Sequence, residues 1–214
     1  MKLVILLCYI IFTFSLLSCS DKSTNTQTPY TPESDSIRIG TQVWMTTNLN
    51  LDRYANGRAI PNIIDKNAWH GLSTGACCDY EDIIGNSAVY GKLYNYYAVI
   101  DGNGLAPKGW RIPNDKDWQI LSDYLEGDYV SGGKLKEAGS THWQTPNTGA
   151  TNEVGFFALP GGYRTYYGYY GNIGLVGCWW SSSGKVRQID YATAKFSNII
   201  TFQGNGVSVR CIKE

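Results

Sequence analysis

Histidine is scarce in this sequence: His70 and His142 are the only two, and each stands beside a tryptophan. Neither lies at ligand spacing from the other or from a Cys-x-x-Cys pair, which excludes the usual structural zinc sites. An excess of charge of either sign is missing as well. Lysine plus arginine and aspartate plus glutamate balance at 18 each, whereas nucleic-acid surfaces need a basic excess, so no nucleic acid is expected as a partner. Ser181, Ser182 and Ser183 follow two tryptophans without a Gly-x-Ser-x-Gly elbow, which removes the simplest serine hydrolase. The glycines at 168, 171 and 174 are threaded with tyrosines and open no strong helix, so a phosphate loop is lacking too.

Long apolar runs are absent except at the start. Lys2 precedes an apolar run over residues 3–12 that is followed by Leu16-Leu17-Ser18-Cys19. The run falls short of the roughly 20 residues that span a bilayer, and polar, serine-rich sequence follows, as after an export signal over residues 1–18. The closing four residues resemble a bacterial lipobox, in which Cys19 becomes the lipid-bearing first residue. Residues 19–36 then form the lipidated cysteine and a disordered tether, because one aromatic and no aliphatic residue after the cysteine cannot offset the entropy of ordering. The expectation is an exported protein held to a membrane by its lipid, in the outer membrane or at the cell surface. Loss of the leader takes Lys2 with it and leaves a net charge of about −1.

Residues 37–214 suffice for one domain with a real core. Glycine (24), tyrosine (16) and tryptophan (7) are abundant while 17% of residues are charged, a profile of tight turns and loops. Cys77, Cys78, Cys178 and Cys211 allow three pairings. Neighbouring cysteines rarely bond to each other, so two long-range bridges in an oxidising compartment are expected.

Ile37, Ile39, Val43 and Trp44 among turn residues read as two short strands, and Asn56-Gly57 as a hairpin turn. Tyr90, Leu93, Tyr94, Tyr97 and Ala98 repeat at helical spacing. After Gly-Trp-Arg-Ile-Pro, Asn114 caps a helix whose buried face is Trp118, Leu121 and Leu125 and which stops at Gly127. A second short helix fits GGKLKEAG, with Lys134, Lys136 and Glu137 on a solvated face. Short strands cut by glycine follow to the end, and the tryptophans of WWSSS read as a core strand. Helices early, strands late and no βαβ alternation give an α+β class.

The blocks IGTQVWMTTNLN, YGKLYNYYAV, LAPKGWRIPNDKDW, GGKLKEAGSTHW, PNTGATNEVGFFALPGGYR, WWSSS and SVRCIKE, in this order from Ile37 to Lys213, resemble the Fibrobacter succinogenes major paralogous domain. The resemblance implies an exported, often lipid-anchored protein with no assigned biochemical function. GWRIP-x-x-x-x-W and Gly-Gly-Tyr-Arg are also similar to C-type-lectin-like and formylglycine-generating-enzyme-like folds, which implies a glycine-rich domain of two or three short helices and an irregular antiparallel sheet. By the same resemblance Cys78 pairs with Cys211, leaving Cys77 and Cys178 as an extra bridge. Ala106 departs from the pattern, since many members carry a cysteine there.

The sugar-binding lectin signatures Glu-Pro-Asn and Trp-Asn-Asp are missing, as are the paired C-terminal cysteines of a copper-dependent formylglycine-generating enzyme. No resident cofactor is expected. Calcium is the one inorganic ligand with hard oxygen donors close together in sequence, at Asp79, Glu81, Asp82 and Asn86. Those carboxylates share a loop, whereas a glycosidase needs two flanking a bond.

In FFALPGGYRTYYGYYGN, Phe156, Phe157 and Leu159 read as core, and Arg164 as a fork for buried carbonyls or a carboxylate. Tyr166, Tyr167, Tyr169 and Tyr170 read either as a candidate sugar-stacking platform or as a strand with one packed face, and at most two of them share a face if the segment is extended. The leading expectation is a non-catalytic surface module binding an extracellular glycan. A structural or protein-contact role in the envelope is the alternative, and a divergent formylglycine-generating-type enzyme a third.

Overall fold

The computed structural model describes residues 35–214; the expected leader, Cys19 and the tether through residue 34 lie outside the described residues. The opening pair of strands is as expected: β1 (Ser36–Ile39) turns at Gly40 into β2 (Gln42–Met45), with Ile37 opposite Trp44. After α1 (Lys66–Trp69) and β3 (Cys77–Cys78) come α2 (Ile84–Tyr90), β4 (Leu93–Tyr94), α3 (Tyr96–Val99) and β5 (Trp110–Arg111). The longest helix, α4 (Asp115–Tyr124), is followed by the short α5 (Ser131–Leu135). The last third is strand-rich: β6 (Gly161–Arg164), β7 (Tyr170–Ile173), β8 (Val176–Trp180), β9 (Lys185–Asp190), β10 (Phe196–Ile200) and β11 (Ile212–Lys213).

Among the described residues all strand pairs are antiparallel, in sheets ordered β1-β2-β11-β5 and β10-β9-β8 plus the pairs β3-β4 and β6-β7. The class is therefore mixed α+β. All seven tryptophans are buried. Each large ring removes on the order of 150–250 Å² from water, and at roughly 25 cal/mol per Å² this is how a chain rich in loops acquires a core. One core cluster gathers Trp44, Trp118, Trp143, Phe156 and Trp179, and another Tyr94, Trp180, Val207, Val209 and three of the cysteines.

The helix after GWRIP forms for the local reasons seen in the sequence. Asn114 Oδ1 accepts from Asp117 N at 3.0 Å while Asp117 Oδ2 accepts from Asn114 N at 2.8 Å, a reciprocal capping box. Trp118 and Leu121 are buried. Asp117 also takes a two-pronged contact from Arg111 at 2.5 and 2.8 Å.

Four expectations are corrected. The helical series from Tyr90 to Ala98 is divided among α2, β4 and α3, because Gly91 breaks the turn at φ +75 and a Cβ there would lie 2.7 Å from Leu49 O. Among the described residues five α-helical segments occur in place of two or three, three of them only four or five residues long. Lys136 is not solvated. Its Nζ donates to the carbonyls of Asp190 (3.1 Å) and Thr193 (3.0 Å) in the interior, and burial lowers its pKa to about 8. Phe157, at φ +53, turns outward and is half exposed, whereas Phe156 is fully buried.

The bridges Cys78–Cys211 and Cys77–Cys178 are not formed; all four thiols are free and buried. Consecutive residues in a strand face opposite ways. Cys77 accordingly joins the cluster of Cys178 and Cys211, while Cys78 faces Trp69, Tyr80 and Leu93. Cys77 Sγ is directed at Ile60 O (4.0 Å) and Cys178 Sγ at Gln188 Oε1 (3.7 Å), so these two are turned to different acceptors.

Candidate functional site

The candidate site is built by the turn between β6 and β7. Arg164 N and O exchange hydrogen bonds with Gly206 (2.8 and 2.7 Å), which anchors the end of β6 to the chain before β11. Its side chain is fully buried between the rings of Trp69 (4.5 Å) and Tyr170 (4.7 Å). The guanidinium donates to Ile63 O (2.5 Å), Ile64 O (2.9 Å) and Gly168 O (3.3 Å), the expected fork for buried carbonyls. Beyond it the chain reverses over residues 165–169. Thr165 N donates to Tyr169 O (2.7 Å), Gly168 N to Thr165 O (2.8 Å) and Tyr169 N to Thr165 Oγ1 (3.0 Å). Gly168 adopts φ +81, and a Cβ there would meet Lys66 O at 2.6 Å, so the turn packs against α1 only with glycine in that place.

Because this segment is a turn and not an extended strand, adjacent Tyr166 and Tyr167 line the same cleft, against the alternation expected for them. The cleft has a volume of about 330 Å³. Tyr166 is held by Asn205 Oδ1 accepting from its backbone N (2.6 Å), and its ring stacks on Phe202 at 5.8 Å. The ring lies so close over Gly204 that a Cβ there would be 2.5 Å from Cδ2. Tyr167 stacks on the His70 imidazole at 5.3 Å with 17° between planes. Val186 and Gln188 of β9, Ile199 of β10 and Cys178 of β8 complete the floor. Burial pushes the Cys178 thiol up to about 12.

The other two tyrosines serve elsewhere. Tyr169 accepts Lys66 Nζ on its hydroxyl (2.6 Å) and ring face (3.9 Å). Tyr170 packs on Tyr80 and donates to Asp82 Oδ1 at 2.8 Å; burial raises its pKa strongly.

The acidic loop does not converge. Asp79 Oδ1 is engaged by Lys92 Nζ (2.7 Å), Asp82 by Tyr170, and Asn86 donates its amide to Tyr80 O (2.9 Å), while Glu81 is exposed. Among the described residues no group of three His, Cys, Asp or Glu side chains is placed to hold a metal.

Phe202, Asn205 and Gln188 escaped the sequence reading. The one available signal was that Phe202, like Tyr166 and Tyr167, sits in a glycine-punctuated turn, FQGNG.

Fold and site together define a small, glycine-rich α+β domain with an aromatic-walled surface cleft. Residues 37–213 match the Fibrobacter succinogenes major domain, and the chain belongs to this family, whose function is not known. No curated protein and no solved structure matches it.

Proposed function

We propose that this protein is a non-catalytic, lipid-anchored module of the outer membrane or cell surface that binds an extracellular glycan in the cleft walled by Tyr166, Tyr167 and Phe202. The observation that carries the reading is the cleft itself: three aromatic rings with the hydroxyls of Tyr163, Thr165 and Thr201 and the amides of Gln188 and Asn205 around them. Apolar ring faces stack on the C–H face of a sugar, and neutral hydroxyl and amide groups at the rim bond its hydroxyls. No carboxylate, lysine or histidine is among the residues that line it. The reading includes a C-type-lectin-like framework, in which short helices lead into a loop-rich sheet that presents the cleft. The lipid on Cys19 supplies the membrane attachment.

The test is retention of the full-length chain on insoluble polysaccharides and a glycan panel. Tyr166→Ala and Phe202→Ala should abolish retention, and Tyr169→Ala, whose ring faces Lys66, should not. Retention unaffected by the first two variants, or none on any glycan, overturns the reading.

A protein contact in the envelope is the second reading, favoured by Ile200 and Phe202, 86% and 64% exposed at the end of edge strand β10. It expects an envelope protein to bind through Ile200 with no response to free sugars.

A further inference from the structure

The aromatic cleft is uneven in its hydrogen bonding. Besides Tyr166 and Tyr167, five side chains with an acceptor oxygen line it: Tyr163, Thr165, Gln188, Thr201 and Asn205. In each of them that oxygen already faces a donor of the protein. Thr165 Oγ1 accepts from Tyr169 N (3.0 Å), Thr201 Oγ1 from Asn205 Nδ2 (2.5 Å), the Tyr163 hydroxyl from Asn172 Nδ2 (3.1 Å) and Asn205 Oδ1 from Tyr166 N (2.6 Å). Gln188 Oε1 faces Cys178 Sγ at 3.7 Å, and because burial keeps that thiol protonated, the amide oxygen is the end turned to it. Hydrogens are what remain. Among the described residues no protein acceptor takes the hydroxyl hydrogen of Thr165 or Thr201 or the amide hydrogens of Gln188. A hydroxyl or amide whose oxygen is engaged meets a ligand chiefly as a donor.

Strand register builds the floor. Directly opposite residues of antiparallel strands share a face, and Cys178 lies opposite Gln188 while Val186 lies opposite Ile199. Gln188 and Val186 are two apart on β9, so all four stand on one face of the sheet β10-β9-β8. Val207 adds a fifth side chain to the lining. Of these five, Gln188 alone carries an amide.

A bare sugar hydroxyl is poorly matched to such a floor. Its hydrogen needs an acceptor, and pressed on Val186, Ile199 and Val207 without one it becomes a costly buried donor. An acetyl group has the opposite make-up. Its carbonyl oxygen only accepts, and its methyl group gains about 25 cal/mol for each Å² it withdraws from water onto apolar side chains. The volume of about 330 Å³ lies near the lower end of ligand sites, roughly 300–1,000 Å³, room for one ring and its substituent.

We infer that the cleft selects acetylated sugars: a ring stacks on Tyr166, its acetyl methyl group rests on Val186, Ile199 and Val207, and the acetyl carbonyl accepts from Gln188 Nε2. The hydroxyls of Thr165 and Thr201 give their hydrogens to oxygens of the same ring. The inference rests on the reading under Proposed function and narrows its ligand class. Two kinds of glycan carry the group, as an ester on a hydroxyl or as an amide on an amino sugar, and the test separates them.

The experiment titrates the full-length chain in detergent, by calorimetry, with two matched pairs. One is xylohexaose and its O-acetylated form; the other is cellohexaose and chitohexaose, which differ by a hydroxyl against an N-acetyl group on each ring. In at least one pair the acetylated member is expected to bind about tenfold tighter or more, as for a methyl-sized group in an apolar pocket. The pair that shows it identifies the ester or the amide. Gln188→Glu, which sets an acceptor where the donor stands, should erase the preference, and Gln188→Leu, which gives up the donor without adding charge, should reduce it. Tryptophan fluorescence checks that both variants fold. Equal or weaker binding of the acetylated members, with all binding lost in Tyr166→Ala, overturns the inference and leaves the aromatic cleft standing. A preference that both Gln188 variants keep in full overturns it as well. Acetylated sugars held undiminished by Tyr166→Ala, or no sugar bound at all, overturn the inference and the aromatic cleft together.

Discussion

Asn48 and Arg210, 162 positions apart, meet in the core: Asn48 Oδ1 accepts from Arg210 Nε at 2.9 Å. The same oxygen accepts from Trp179 Nε1 at 2.8 Å, and the Asn48 amide donates to Tyr90 O at 2.8 Å. One short side chain thus joins the loop after β2, the end of α2, the strand β8 and the segment before β11. The Arg210 guanidinium also lies 4.3 Å from the Phe156 ring and donates to Phe156 O.

Asn48→Ala removes an acceptor shared by two buried donors and is expected to destabilise the domain by about 3–5 kcal/mol, since each buried donor deprived of its partner costs about 1–3 kcal/mol. Urea unfolding followed by tryptophan fluorescence measures it. A loss below about 1 kcal/mol would show that this junction does not hold the core together.

Glycine substitutions should divide by what a Cβ meets. At Gly132 it would lie 2.3 Å from Lys195 O, a backbone atom that cannot swing away, so Gly132→Ala is expected to cost about 3 kcal/mol or more. Gly109, at φ +81 with open space around it, should lose only the roughly 1–2 kcal/mol of left-handed backbone strain on change to alanine. Equal melting temperatures for the two variants would contradict this.

The capping box at α4 predicts that Asn114→Ala costs about 1 kcal/mol, read as a fall of about 2–4 °C in Tm for a domain of this size. Asn114→Ser, which keeps an acceptor, should recover most of it.

Alkali should unfold the reduced protein from near pH 9. Burial raises the Cys77 and Cys178 thiols to about 12 and Cys78 to about 11, with Cys211 higher still. The folded chain keeps protons that the unfolded chain releases near 9, so this stability is complete below pH 9 and lost as pH rises. Lys136 acts in the opposite sense. Its folded value of about 8 lies below the ordinary 10.5, so its contribution rises between those values. Four thiols outweigh one lysine, and the raised Tyr54, Tyr94 and Tyr170 phenols add to the loss above pH 10, so stability falls as pH rises above 9. Unfolding midpoints in reductant from pH 8 to 10.5 test it, and a flat profile would mean that the thiols are not buried as acids.

Local physics was legible in advance and long-range packing was not. The helix α4 could be read because Asn114, the acidic first turn and the spacing of Trp118 and Leu121 act within ten residues of one another. The series from Tyr90 to Ala98 had the same helical spacing and misled, since Gly91 is set by its close approach to Asn48 and Leu49. Lys136 has the sequence context of a surface lysine, and only the approach of residues 190–193 makes it an interior one. In the tyrosine segment, that Tyr166 and Tyr167 line one cleft while Tyr169 and Tyr170 pack elsewhere depends on a reversal seated by Gly168 against Lys66.

By itself the sequence determined the α+β class, the first strand pair, the Asn56-Gly57 turn, the capped helix and the membership of a family, because each is written in neighbouring residues or in the order of short blocks. Tertiary structure alone decided that Cys77 and Cys78 face different clusters, that Phe202 joins Tyr166 across 36 residues of chain, and that Tyr54 is buried beside Asp101. The reason is physical: turns and caps are satisfied by atoms a few bonds away, whereas a cleft is the space left between segments distant in sequence.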